Sequence, residues 1–126
     1  VDYQDTFAVD GGGRHHADAW MHAAFDGSAG AQALWRGVLQ LRLRSAADRI
    51  AGWRVEERTP QRLVVAAESW HLRAWLTWAA YADGVEVTTH VTSRNAAGAV
   101  AWTTLSPVHR AAVPGVLERA RRRLRA

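Results

Sequence analysis

From Leu72 to Ser93 apolar and polar residues alternate with a period of two. Leu72, Ala74, Leu76, Trp78 and Ala80 fall on one side, against His71, Arg73, Trp75, Thr77 and Ala79; beyond Asp83-Gly84, Val85, Val87, Thr89 and Val91 oppose Glu86, Thr88, His90, Thr92 and Arg94. That period predicts two strands with one face on a core, and Asp-Gly between them predicts a hairpin. Trp53, Val55 and Glu57 alternate in the same way with Arg54, Glu56 and Arg58, and Thr59-Pro60-Gln61 turns the chain into Leu63 to Trp70, a second hairpin. Tyr3 to Val9 reads as a short first strand stopped by Asp10-Gly11-Gly12-Gly13. After a turn at Asn95-Ala96-Ala97-Gly98, Ala99 to Leu105 completes a set of six strands.

Helical spacing governs the remainder. Ala17, Trp20, Met21, Ala24 and Phe25 make one stripe of a helix from Arg14 to Phe25, with His15, Asp18 and His22 on its other side. Asp26-Gly27-Ser28 breaks it. A second helix is expected from about Ala29 to Arg44, with Leu34, Val38 and Leu41 beside Trp35. Ser106 reads as the N-cap of a terminal helix and Pro107 as its first residue, with Val113, Val116, Leu117, Ala120 and Leu124 laid along the sheet. Pro114 lies inside that helix and predicts a kink or a restart near Val113.

Strand, two helices, an antiparallel meander and a long terminal helix is the order of the helix-grip, or START-like (SRPBCC), superfamily. Three stretches add to it: Asp18-Ala19-Trp20-Met21-His22-Ala23-Ala24-Phe25, Leu41-Arg42-Leu43-Arg44, and Ser106-Pro107-Val108-His109-Arg110 leading to Val113-Pro114-Gly115. The chain resembles a bacterial branch of that superfamily whose members mostly have no assigned function. The resemblance implies an α+β fold over residues 1–126 as a single domain, a curved antiparallel sheet of about six strands wrapped on the C-terminal helix. It also implies a gap between helix and sheet that holds an apolar ligand such as a lipid, a sterol, a polyketide or an aromatic compound. At 126 residues the gap is expected to be small, or filled by the chain's own tryptophans.

Composition narrows the chemistry. A chain of 126 residues, 48% hydrophobic, buries roughly two-thirds of its extended surface as one domain and needs no staple. With no cysteine, disulfides, thiolate metal sites and thiol nucleophiles are excluded, and a reducing, cytoplasmic setting is the expectation. No apolar run reaches the roughly 18 residues of a membrane span, so no integral membrane contact is expected. Val1-Asp2-Tyr3-Gln4-Asp5 lacks the pattern of a signal peptide. All sixteen basic residues are arginine, a bias that matches a GC-rich coding sequence. Five of them, Arg119, Arg121, Arg122, Arg123 and Arg125, crowd the C-terminus. That cluster is an alternative interaction surface for phosphates; it carries no nucleic-acid motif and no interleaved aromatics, so no nucleic-acid partner is expected. A homodimer is left open.

Seven tryptophans point to aromatic walls. Trp53, Trp78 and Trp102 are the candidates to face the gap, with Leu76, Val87, Val113 and Leu117 completing the lining; plain core packing is the competing reading. Glu57 shares a face with Trp53 and Val55, and His109 matches the resembled family's pattern. Either would serve as the acid or base of a polyketide cyclase or dehydratase; the alternatives are an arginine-paired Glu57 and a His109 that holds helix to sheet. Glu68 and His71 are spaced to meet beside a turn. His15, Asp18 and His22 share a helical face with no fourth ligand, so no metal is expected. Nor is a cofactor, since phosphate-binding loop and dinucleotide fingerprints are missing.

Overall fold

The computed structural model describes residues 3–25, 49–50 and 53–125. The helix expected from Ala29 to Arg44 lies outside them. Six strands form one antiparallel sheet: β1 (Tyr3–Asp10), β2 (Arg49–Ile50), β3 (Trp53–Arg58), β4 (Arg62–Glu68), β5 (Leu72–Tyr81) and β6 (Gly84–Ser93), in the spatial order β1-β6-β5-β4-β3-β2. Five are full strands, and β2 is a two-residue edge. Among the described residues two helices, α1 (Ala17–Phe25) and α2 (Ala96–Arg125), cover one face, α2 across β1 and β6 and α1 across β5 and β4, with the helices packed against each other.

Register follows the alternation. Leu63, Trp78, Val87 and Phe7 form one row across the covered face, and Val65, Leu76, Thr89 and Asp5 form the next. The opposite face is polar, with Trp75 lying under the Arg73 guanidinium and Thr6 and Thr88 sharing a 3.1 Å hydroxyl contact. At the β5–β6 turn Gly84 has φ +135° and an added Cβ would stand 2.2 Å from the Val9 carbonyl oxygen, so glycine alone fits between the turn and β1.

The C-terminal region departs from the sequence expectation. Ala99 to Leu105, expected as a strand, is helical, and α2 starts at Ala96 rather than at Ser106. Asn95 is the cap: its Oδ1 accepts the Gly98 amide at 3.1 Å, and its Nδ2 donates to the Trp70 carbonyl at 3.1 Å. Gly98 is therefore not a turn residue. An added Cβ there would come within 1.8 Å of the His71 carbonyl oxygen, so the glycine lets the first turn of α2 lie directly on the β4–β5 hairpin. Ser106 is buried within the helix, and α2 runs through Pro107 and Pro114 without restarting. The carbonyls those prolines deprive of an amide belong to Thr103 and Arg110, both exposed residues.

Candidate functional site

The covered face of the sheet and the two helices enclose one hydrophobic cluster, and the tryptophans dominate it. Trp20 comes from α1, Trp53 from β3, Trp78 from β5 and Trp102 from α2, and all four are buried. Trp53 meets the edge of Phe25 at 6.5 Å between centroids, and Trp102 meets Tyr3 at 5.0 Å. Trp78 stands between Leu63 and Val87 on its neighbouring strands. The tip of the Trp20 ring lies over Gly12, whose φ of +86° and missing Cβ make the room; an added Cβ would sit 2.8 Å from the ring. Leu76, Val87 and Leu117 are buried in the same cluster, and Val113 packs against it half-buried.

A polar seam interrupts this cluster where α2 crosses β1 and β6. Asp5 points inward beside Thr89, and His109 descends from α2 to place Nε2 3.1 Å from Asp5 Oδ2. The Tyr3 hydroxyl donates to the same carboxylate oxygen at 2.6 Å, and Arg110 lies over the Tyr3 ring at 5.9 Å. Burial pushes the Asp5 carboxyl up, but hydrogen bonds from His109, Tyr3 and Thr89 and the charge of His109 outweigh it, leaving the pKa below the ordinary 3.8. Burial and the bond to Asp5 raise the Tyr3 hydroxyl. The arrangement is a part-buried carboxylate whose Oδ2 takes the Tyr3 hydroxyl and faces His109, and it fastens the middle of α2 to the edge strand.

The other sequence candidates lie elsewhere. A β-bulge between Val55 and Glu57 breaks the alternation of β3, and Glu57 pairs at the surface with Arg62 at 3.1 Å with 48% of its side chain exposed. Glu68 and His71 do not meet: Glu68 binds Arg54 and Arg73, with the Arg54 hydrogen bond holding its carboxyl below the usual range, whereas His71 Nδ1 lies 2.6 Å from Ser69 Oγ. His15 precedes α1 and contacts the Gly12 carbonyl, Asp18 pairs with Arg58, and His22 is exposed; among the described residues no three ligating side chains converge. In the arginine cluster, Arg121 pairs with Glu118 and lays its stem over Gly11 and Gly12, and Arg123 donates to the Ala23 carbonyl near the end of α1. No helix among the described residues is long and apolar enough to cross a membrane.

Sequence reasoning missed Asp5 and Tyr3 as members of this layer; Trp20 and Thr89 it placed on inward faces without naming them as site residues. A signal for Asp5 was present: Tyr3, Asp5, Phe7 and Val9 share one face of β1, so a carboxylate stands among residues bound for the core.

Fold and cluster together define an α+β domain, an antiparallel sheet backed by a long C-terminal helix with an aromatic layer between them. Residues 40–116, more than half the chain, match the model of the family described as protein of unknown function (DUF2867). The chain belongs to that family. None of the curated proteins and none of the solved structures compared with it matches.

Proposed function

We propose that this chain is a helix-grip domain of the START-like (SRPBCC) kind that binds a small apolar or aromatic molecule between its sheet and α2. The observation that carries the reading is the convergence of four indoles, from α1, β3, β5 and α2, in one buried layer on the covered face of the sheet. Rings of that size form the walls of sites for apolar molecules and offer stacking as well as area. The order of strand, helix, antiparallel meander and long terminal helix supports the helix-grip assignment. Trp53, Trp78, Trp102, Leu76, Val87, Val113 and Leu117 line the proposed site, and α2 is the element that yields to admit a ligand. Binding is favoured over a cyclase or dehydratase reaction because Glu57 is spent on Arg62 at the surface and His109 on Asp5.

Titration with a fluorescent apolar probe tests this, following energy transfer from the tryptophans, with fatty acids, sterols and aromatic polyketides as competitors. Saturation at about one probe per chain, with displacement by one chemical class, is expected. A folded protein that binds no probe would leave the indoles as core alone and end the proposal.

A further inference from the structure

We infer that the layer between sheet and helices contains a subsite that reads an uncharged carbonyl oxygen, formed by the indole N–H groups of Trp20 and Trp78. The inference rests on the binding reading above and gives the ligand its polar feature. Trp20 is 0% and Trp78 2% exposed, and neither indole nitrogen has a hydrogen-bond acceptor among the described residues. Indole has one polar atom, and that atom only donates. Buried donors are paired in the great majority of cases, so two unpaired ones in one layer call for a partner.

The described residues around them do not supply it. In its row Trp78 is flanked by Leu63, Val87 and Phe7, whose side chains carry no acceptor. Trp20 lies against Gly12 and the Arg121 stem, and the imidazole beside it, His15, is engaged with the Gly12 carbonyl oxygen at 2.7 Å. The anion of the layer, Asp5, stands in the next row with Oδ2 taken by Tyr3 and His109, and neither indole reaches its Oδ1. A ligand that satisfies indole donors must bring an acceptor. An amine would set donor against donor, and a carboxylate would bring an unpaired charge into an apolar layer, so a ketone or ester fits best. Phenylalanine would fill much of the same space without the donors, and that separates readout from packing.

The test compares two probes of one shape, an aryl alkyl ketone and the same molecule with its carbonyl reduced to a methylene. Without donors in the site the methylene compound binds more tightly, because the ketone must give up its water. With them, the ketone is expected to bind about tenfold more tightly, the worth of one good hydrogen bond. The Trp78→Phe and Trp20→Phe variants, checked for native circular dichroism, should each narrow that preference, and the double variant should reverse it. A second measurement needs no variant: the Trp20 and Trp78 indole N–H resonances should move downfield with the ketone and stay in place with the methylene compound. Equal or tighter binding of the methylene compound to the unaltered protein overturns the carbonyl subsite while leaving the binding reading intact. Failure of both probes to bind overturns both.

Discussion

Replacing Asp5 by alanine removes the anion on which Tyr3 and His109 converge. His109, 3% exposed, then loses the partner of Nε2, and the Tyr3 hydroxyl loses its 2.6 Å acceptor. Breaking a buried ion pair from one side costs about 3–5 kcal/mol. Two features set the expectation at the lower end: imidazole has a neutral form that survives burial, and the Asp5 side chain keeps 11% of its surface in water. We therefore expect Asp5→Ala to lower the unfolding free energy at neutral pH by about 3 kcal/mol, and Asp5→Asn, which keeps an acceptor, by about 1–2 kcal/mol. Urea unfolding followed by tryptophan emission measures both, and an unchanged m-value would confirm that only stability has moved. The pH dependence gives an independent check. The folded-state pKa of Asp5 lies below its ordinary 3.8, so its contribution is complete above 3.8 and disappears as pH falls through the folded value. Wild type should lose more stability than Asp5→Asn over that acid range. Glu68, also depressed, is present in both proteins and drops out of the difference. Stabilities of Asp5→Ala and wild type within about 0.5 kcal/mol, with parallel acid limbs, would refute the reasoning, since that is the scatter of an ordinary surface substitution.

Gly98→Ala drives a methyl group to 1.8 Å from the His71 carbonyl, a contact that only backbone movement relieves; a loss above about 3 kcal/mol in the same urea assay is expected. Pro114→Ala restores an amide to an exposed stretch of α2 and should raise stability by about 1–2 kcal/mol, less than the full penalty of an interior proline because Arg110, whose carbonyl it frees, is exposed. Glu57→Gln, which weakens an exposed pair with Arg62, should cost less than about 1 kcal/mol and leave probe affinity unchanged; a tenfold loss of affinity would put Glu57 back at the site.

How much of this the amino-acid pattern discloses depends on whether one period dominates locally. In β5 and β6 every second residue turns to the core and the alternation maps directly onto the sheet, down to Thr89 among valines. The Ala99–Leu105 segment satisfies two periods at once. Val100, Thr103 and Thr104 are β-branched and favour a strand, while Gly98, Trp102, Ser106, His109 and Val113 repeat at helical spacing on a single face. The tie is decided by tertiary contacts, the Asn95 cap and the approach of Gly98 to the hairpin, and no local pattern encodes these. Glu57 failed as a core candidate for a similar reason: a one-residue bulge reverses which side of the strand faces inward. The indoles were legible as a core layer because tryptophan at inward positions needs only periodicity. The Asp5–His109 contact joins residues 104 apart in the sequence, and only the pairing of β1 with β6 brings them together.

That pairing imposes an order on folding. The β3–β6 meander is built from turns of a few residues and can assemble as it emerges, but β1, the first of the described strands in sequence, pairs with β6, the last of them. Thr6 meets Thr88 across 82 residues, and Tyr3 meets Arg110 across 107. Until β6 and most of α2 have been synthesised, β1 has no partner in its own sheet and β6 presents an open edge. Such late, long-range pairing slows folding and prolongs the time during which neighbouring nascent chains can exchange strands. Destabilising changes at the seam should therefore lower the yield of soluble protein during synthesis by more than their effect on the finished domain implies.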